Sequence, residues 1–420
     1  MTPISSFDYP TYFGFKDPKV LQKALGYRGI IKKIPSADTA VPYMLQALLK
    51  NIASVSKAME TKEALLIRSY NKDPLGRSIA LVKNPSGPHL FNLYIIFSRY
   101  RKGDPVLATG GHTRVALAVH LFEHPQIIAS LASRCLRAPL GLSLQKRFQT
   151  DAPVCPVIAT FSPYHKTSKT LGKEGCYTRS LQPLYASDLA FKSALPWKTA
   201  CLLMQDVLKA LVTLHASSVI HADIKEDNIL CNLTPRPQAV LIDLASSYTL
   251  ADEPIPFIST TPLYLDPFLA SLVISAEGAL EHESYKGKLS FASDMWAVGM
   301  AFFRALGKGK ITFIKNLMDP SQPAGRLKIS QDILRTCRHA HWASTQLRAA
   351  NVVLPEALYA LLDHLLHPDP LKRISAEEAL KVMPGLLVSE SLASSLWRFI
   401  EPIFASRAVQ TQTQIERKIL

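Results

Sequence analysis

The chain has 420 residues, 48% hydrophobic and 19% charged, ample for a large folded domain plus something extra. Its net charge is +15, but Lys and Arg are scattered rather than packed in one run. A basic solvated surface is therefore favoured, and no nucleic-acid patch is indicated. Six cysteines, at positions 135, 155, 176, 201, 231 and 337, form no Cys-x-x-Cys pair, which fits a reduced, cytoplasmic setting with the thiols as small core residues. No apolar run is read as long enough to span a bilayer. Met1–Ser6 lacks a basic region followed by an apolar core, so no secretory signal is expected; export by another route stays open.

In chain order, residues 1–90 read as an accessory region of unknown role, punctuated by Pro3, Pro10, Pro18, Pro35 and Pro42. Tyr43–Met59 has apolar residues near helical spacing and predicts an amphipathic helix. Leu65–Ile67 and Ile79–Val82 predict short strands, with Asp73-Pro74 and Ser86-Gly87-Pro88 as turns. Val106–Val119 reads as strand, turn, strand around Gly110-Gly111. Gln126–Ser133 predicts a strand and Leu142–Thr150 a helix. Val157–Phe161 and Cys176–Tyr185 predict two more strands, joined by a polar loop over Lys166–Lys173. Thr199–His215 carries a broad apolar face and predicts a long helix.

That helix feeds His221-Ala222-Asp223-Ile224-Lys225-Glu226-Asp227-Asn228-Ile229-Leu230. Here an acid, a cation and an amide stand in one polar turn between the apolar clamps Val219-Ile220 and Ile229-Leu230, the pattern of a rigidly held site loop. Val240-Leu241-Ile242-Asp243 is a short apolar strand that delivers a second carboxylate. Two carboxylates and an amide at this spacing suit a site that positions a hydroxyl and holds Mg²⁺ beside phosphates. Ser246–Ser259, with Pro254 and Pro256, is a loop. Leu354–His367 and Ala376–Met383 predict closing helices, and 389–420 a terminal helix with a frayed tail.

Several of these stretches resemble the protein-kinase superfamily. His221, Ala222, Asp223, Lys225 and Asn228 match H-R-D-x-K-x-x-N, and Asp243-Leu244-Ala245 matches D-F-G. Thr261-Pro262-Leu263-Tyr264-Leu265-Asp266-Pro267-Phe268 is similar to T-P-x-Y-x-x-P-E, with Phe268 in place of the glutamate. Ser293-Asp294-Met295-Trp296-Ala297-Val298-Gly299 matches S-D-x-W-x-x-G, and Arg373 stands where the arginine partner of the missing glutamate belongs. The resemblance implies an α+β, bilobal fold. A kinase-like domain would cover 91–388, with a small β-rich N-lobe over 91–185 and a larger helical C-lobe over 186–388.

It implies ATP and Mg²⁺ as cofactors and phosphoryl transfer to Ser/Thr hydroxyls of a protein substrate. Asp223 would accept the proton, Lys225 would neutralise the transferring group, and Asn228 and Asp243 would hold the metal. Gly110, Gly111 and Val115 would belong to the nucleotide loop, and Gln182–Tyr185 to the hinge that reads the adenine. His221, Thr261, Asp294 and Arg373 would be supporting residues, with Asp294 accepting backbone N–H bonds from the catalytic loop. Arg373 must find another acceptor or lie partly exposed.

Three departures stand beside these matches. The Gly-rich loop keeps one of three family glycines. Gln126–Ser133 offers no strand-three lysine, Arg134 being the nearest cation, and the next helix offers Gln145 and Gln149 but no glutamate. Loss of both halves of an ion pair is self-consistent. Lys83 in Ala80-Leu81-Val82-Lys83 mimics the missing lysine but precedes Gly110, and reads as a surface lysine ending an accessory strand. Ala222 replaces the arginine that reads an activation-loop phosphate, so switching by phosphorylation of Ser259, Thr260 or Thr261 is disfavoured. The alternative reading is a pseudokinase that acts as a protein-binding scaffold.

Overall fold

The computed structural model describes residues 62–68, 78–83, 91–96, 106–109, 113–120, 127–133, 137–166, 175–190, 194–251, 260–311 and 318–388. The chain divides into two compact units, one of residues 1–146 and 155–186, the other of 147–154 and 187–420.

The first unit is built on one antiparallel sheet. Its strands are β1 (Ala64–Arg68), β2 (Ser78–Lys83), β3 (Phe91–Ile96), β4 (Val106–Thr109), β5 (Thr113–His120), β6 (Ile127–Ser133), β7 (Ala159–Lys166) and β8 (Gly175–Pro183). The spatial order is β1-β2-β3-β5-β6-β8-β7, with β4 paired to the first half of β5. Strands β1 and β2 come from the first 90 residues yet pair directly into this sheet, so the expected boundary at residue 90 is not a boundary of the sheet. Alternation explains the core. Ala80 and Val82, Tyr94 and Ile96, and Ala159 and Phe161 are each two residues apart, and they bury one face together with Ala118, Ile128 and Leu181. Lys83 ends β2 and pairs with Glu63 at 3.4 Å.

Helix α1 (Ala138–Phe148) follows β6 in the chain and is joined to β8 through Cys155. Gln145 Nε2 donates to the Cys155 carbonyl, Cys155 Sγ to Gln182 Oε1, and Gln182 Nε2 to Ser180 Oγ, and Lys146 Nζ donates to Thr160 Oγ1. The helix begins four residues before its predicted start. Pro139 is acceptable in a first turn, where its missing N–H has no partner to lose, and Gly141 is carried inside the helix. The predicted helix at Tyr43–Met59 and the terminal segment 389–420 lie outside the described residues.

The second unit is helical. It contains α2 (Trp197–Ala216), α3 (Pro267–Ser275), α4 (Phe291–Gly307), α5 (Pro323–Thr336), α6 (Trp342–Ala349), α7 (Glu356–Leu365) and α8 (Ala376–Val388). By length and composition α2 is apolar enough to cross a bilayer, against the expectation from sequence. Its apolar face is instead spent on the core: Leu203, Met204, Val207, Leu208, Leu211 and Leu214 are fully buried. Each such side chain contributes roughly 1.5–3 kcal/mol of burial. Trp296 and Phe303 of α4 pack on Trp342 of α6, and Gly299 of α4 admits Leu365 and Leu366 where a Cβ would meet them at 2.8–2.9 Å.

Short strands complete the unit: β9 (Ser187–Asp188), β10 (Val219–Ile220), β11 (Ile229–Asn232), β12 (Gln238–Leu241) and β13 (Tyr248–Thr249). β11 pairs with β12 on one side and β9 on the other, and β10 pairs with β13. These two small sheets bracket the polar loop read from sequence. Cys155, Cys201, Cys231 and Cys337 are free and buried; burial pushes the Cys155 and Cys201 thiols up to about 12 and the Cys231 thiol up to about 11. They are inert core residues.

Candidate active site

The loop between β10 and β11 is held from below by one carboxylate. Asp294, 1% exposed in the first turn of α4, accepts the backbone N–H of His221 and of Ala222, both at 2.9 Å. His215 Nε2 meets the same carboxylate at 3.0 Å and its ring stacks on Phe291. Ser290 and Ser293 form a capping box that fixes the start of α4, so the carboxylate is carried on a rigid element. Ala222 sits at φ +67°, a left-handed conformation that costs a residue with a Cβ about 1 kcal/mol or more. It is clamped there at both ends, its N–H by Asp294 and its carbonyl by Thr260 Oγ1 at 2.7 Å.

That clamp aims Asp223. Its Oδ2 meets Lys225 Nζ at 2.6 Å, and its Oδ1 accepts from Thr261 Oγ1 at 2.7 Å and from the Thr261 N–H at 3.1 Å. Lys225 Nζ also donates to Thr261 Oγ1 at 3.1 Å. Asn228 Nδ2 donates to the Asp223 carbonyl at 2.8 Å and to its Oδ2 at 3.3 Å. With the amide nitrogen committed, the amide oxygen is the group Asn228 has to offer a cation. The Ile242 N–H donates to the Asn228 carbonyl, and His221 Nε2 meets the Ile242 carbonyl at 3.1 Å. These bonds hold the end of β12 against the loop, and Asp243 is the next residue in the chain. Asp243 is exposed and left-handed at φ +61°, a conformation aspartate tolerates better than most.

Asp223, Lys225, Asn228 and Thr261 are therefore one hydrogen-bonded group, with Asp243 tied to it through the backbone. Val115 lies in β5 opposite Leu131 of β6, while Gly110, Gly111 and Arg134 fall outside the described residues. β6 carries no cation, and Gln145 of α1 is buried on Cys155 rather than facing a lysine. Arg179 of β8, opposite Ala132, is a buried cation that sequence reading passed over. Its Nη1 donates to Ser130 Oγ at 3.2 Å, and its Nε has no partner among the described residues.

Arg373 is buried and finds another acceptor. Its Nη1 meets Asp266 Oδ2 at 2.8 Å and the Ala292 carbonyl at 2.8 Å, and it also donates to the carbonyls of His367 and Pro368. Asp266 stands two residues before Phe268 and accepts the Leu269 N–H as the N-cap of α3. The Asp266-Pro267 step, a cap followed by proline at the first helical position, was the available signal.

Glu226 was also missed. Almost fully buried, its Oε2 accepts from Arg304 Nε of α4 at 2.9 Å and from Tyr264 Oη at 3.1 Å. Burial, then Glu226, push the Tyr264 hydroxyl up, whereas burial pulls the Arg304 guanidinium down and Tyr264 and Glu226 more than restore it. Burial raises the Asp188 carboxyl; the Ala190 N–H opposes the shift and Asp227 and Glu226 add to it.

Residues 144–383, more than half of the chain, match the protein kinase domain family, and the chain belongs to that family. The matched stretch starts in α1, after the strands where the Gly-rich loop and the lysine would stand. The chain is similar to serine/threonine-protein kinase 40 of Xenopus tropicalis, 25% identical over 46% of this chain and 37% of that protein. It is 26% identical to serine/threonine-protein kinase SRK2D of Arabidopsis thaliana, over 50% of this chain and 52% of that one. With serine/threonine-protein kinase ULK3 of Xenopus laevis it shares 28% identity over 43% of this chain and 32% of the relative. The chain thus spans about half or less of the length of these relatives.

Proposed function

We propose that the chain transfers the γ-phosphoryl group of ATP to Ser or Thr hydroxyls of a protein. The observation that carries this reading is the Asp223 carboxylate, 7% exposed and fixed by Lys225, Thr261 and Asn228. Asp223 accepts the proton of the attacking hydroxyl as its oxygen bonds to phosphorus and ADP departs. Lys225 offsets negative charge on the transferring group. Asn228 and Asp243 would hold Mg²⁺. Their hard oxygens suit it, and Mg²⁺ needs only one or two carboxylates, which agrees with the lack, among the described residues, of any cluster of three His, Cys, Asp or Glu side chains. When bound, the ion neutralises phosphate charge.

A scaffold without transfer is the second reading, favoured by the lack of a lysine in β6 and of a glutamate in α1. Both readings are tested with the intact chain. Active protein should melt at higher temperature with Mg-ATP and yield phosphoserine or phosphothreonine on itself or a generic basic protein. A melting point indifferent to Mg-ATP, with no phosphoamino acid formed, decides for the scaffold.

A further inference from the structure

Arg179 is a buried cation that phosphoryl transfer does not use. Its neighbours across the sheet fix the face it occupies. Arg179 stands opposite Ala132 of β6 and Phe161 of β7, and Ala132 shares a face with Ser130 and Ile128. The same face carries the buried cluster of the first unit, with Ile128, Phe161 and Leu181 among its members. β1 lies beside β7, so the sheet curls and this face turns inward. Val115, assigned to the nucleotide loop, and Leu131 opposite it alternate onto the other face, so the nucleotide reading does not absorb Arg179.

Arg179 is 7% exposed, and a guanidinium stays charged at any ordinary pH. Among the described residues no carboxylate meets it. Nη1 donates to Ser130 Oγ, itself 1% exposed, and Nε has no acceptor. A buried charge without a counter-charge is strongly unfavourable. The bond to Ser130 fixes the guanidinium plane and leaves free the edge that carries Nε, and such an edge takes a carboxylate through two parallel N–H bonds. Small side chains stand nearby on the same face. Ala116, opposite Ser130, and Ala132 are only half-buried, so this part of the inner face is reachable from solvent.

We propose that Arg179 and Ser130 form a binding site for a small monocarboxylate with a short apolar body. One cation and one hydroxyl balance a single negative charge, which suits a carboxylate better than a doubly charged phosphate. Phe161, Leu181, Ala116 and Ala132 offer apolar surface to the body.

The test is calorimetric titration and thermal melting of the full chain with butyrate, with butyramide as its uncharged counterpart. Butyrate should bind at one site and raise the melting temperature, and butyramide should bind at least about tenfold more weakly. Arg179→Lys keeps the charge but loses the fork, and should weaken butyrate about tenfold. Arg179→Met should abolish binding, yet melt no lower than the wild type without ligand, because it removes an uncompensated buried charge. Saturating Mg-ATP should leave the affinity for butyrate unchanged. The absence of saturable binding to the wild type overturns the proposal, as does equal binding of butyramide or equal binding by Arg179→Lys. A ligand-free Arg179→Met that melts well below the wild type gives the guanidinium an acceptor within the chain and also overturns it. Displacement of butyrate by Mg-ATP would move Arg179 into the nucleotide site, and tighter binding of inorganic phosphate than of butyrate would refute the monocarboxylate.

Discussion

Arg373→Met is the most demanding test of how the large unit replaces a lost glutamate. Both side chains of the Arg373–Asp266 pair are at most 1% exposed and meet at 2.8 Å. Methionine fills most of the volume but strands the Asp266 carboxylate, leaving it the Leu269 N–H as a donor, and strips donors from the carbonyls of Ala292, His367 and Pro368. Breaking one side of a buried ion pair costs about 3–5 kcal/mol. For a unit of this size that is a fall of roughly 6–20 °C in melting temperature. Asp266→Asn keeps the helix cap and loses the charge, so it should cost less, about 1.5–3 kcal/mol. Urea unfolding followed by tryptophan fluorescence measures both; the Arg373 guanidinium lies 5.1 Å from the Trp296 ring. A double-mutant cycle should give a coupling of at least about 1.5 kcal/mol. If Arg373→Met costs under about 1 kcal/mol, or the coupling is near zero, Asp266 is not the replacement acceptor.

Other outcomes follow from the same geometry. Asp294→Ala removes the acceptor of two loop N–H groups and should lower kcat by at least about tenfold, with a loss of about 2–4 kcal/mol in unfolding; full activity at unchanged stability would contradict the clamp. Glu226→Gln should leave the half-buried Arg304 without its charge partner and lower stability by about 1–3 kcal/mol, with Arg304→Met restoring part of it in the double variant; additive losses would argue against the pair. Thr261→Val deletes a donor to Asp223 and should reduce kcat with little change in KM for ATP; a change confined to KM would move Thr261 out of the reacting group. Burial pulls the His367 imidazole below its ordinary value of 6.5, so the unfolded chain binds the proton more readily. Stability contributed by neutral His367 is present above pH about 6.5 and is lost as pH falls toward its depressed folded value. His367→Gln should flatten that limb of a pH–stability curve, and an unchanged slope would assign it to another group.

The loop around Asp223 was legible because polar residues at fixed spacing between apolar clamps leave few local solutions. Asp294 was legible for a related reason: a carboxylate in the first turn of an apolar helix is placed to accept nearby backbone N–H groups. Asp266 was not, because the acceptor moved two residues along the chain while the arginine stayed, and single-sequence matching looks for the acid in its usual place. Glu226 and Arg304 are 78 residues apart, and nothing local marks them as partners. The membership of β1 and β2 in the small unit's sheet depends on pairing across long connections, which alternation alone cannot assign. β6 holds no lysine and α1 no glutamate; Leu131 stands opposite Val115 and Gln145 on Cys155, side chains with no charge to announce them.

The central claim is that Asp223 serves as the proton acceptor in phosphoryl transfer. Radiolabel transfer from Mg-ATP by the wild-type chain and by Asp223→Asn, at matched folding and matched nucleotide binding, measures it most directly. The account predicts transfer by the wild type and a loss of about 10²–10⁴-fold in the variant. Equal labelling by both proteins, or none by either while nucleotide still binds, would contradict it.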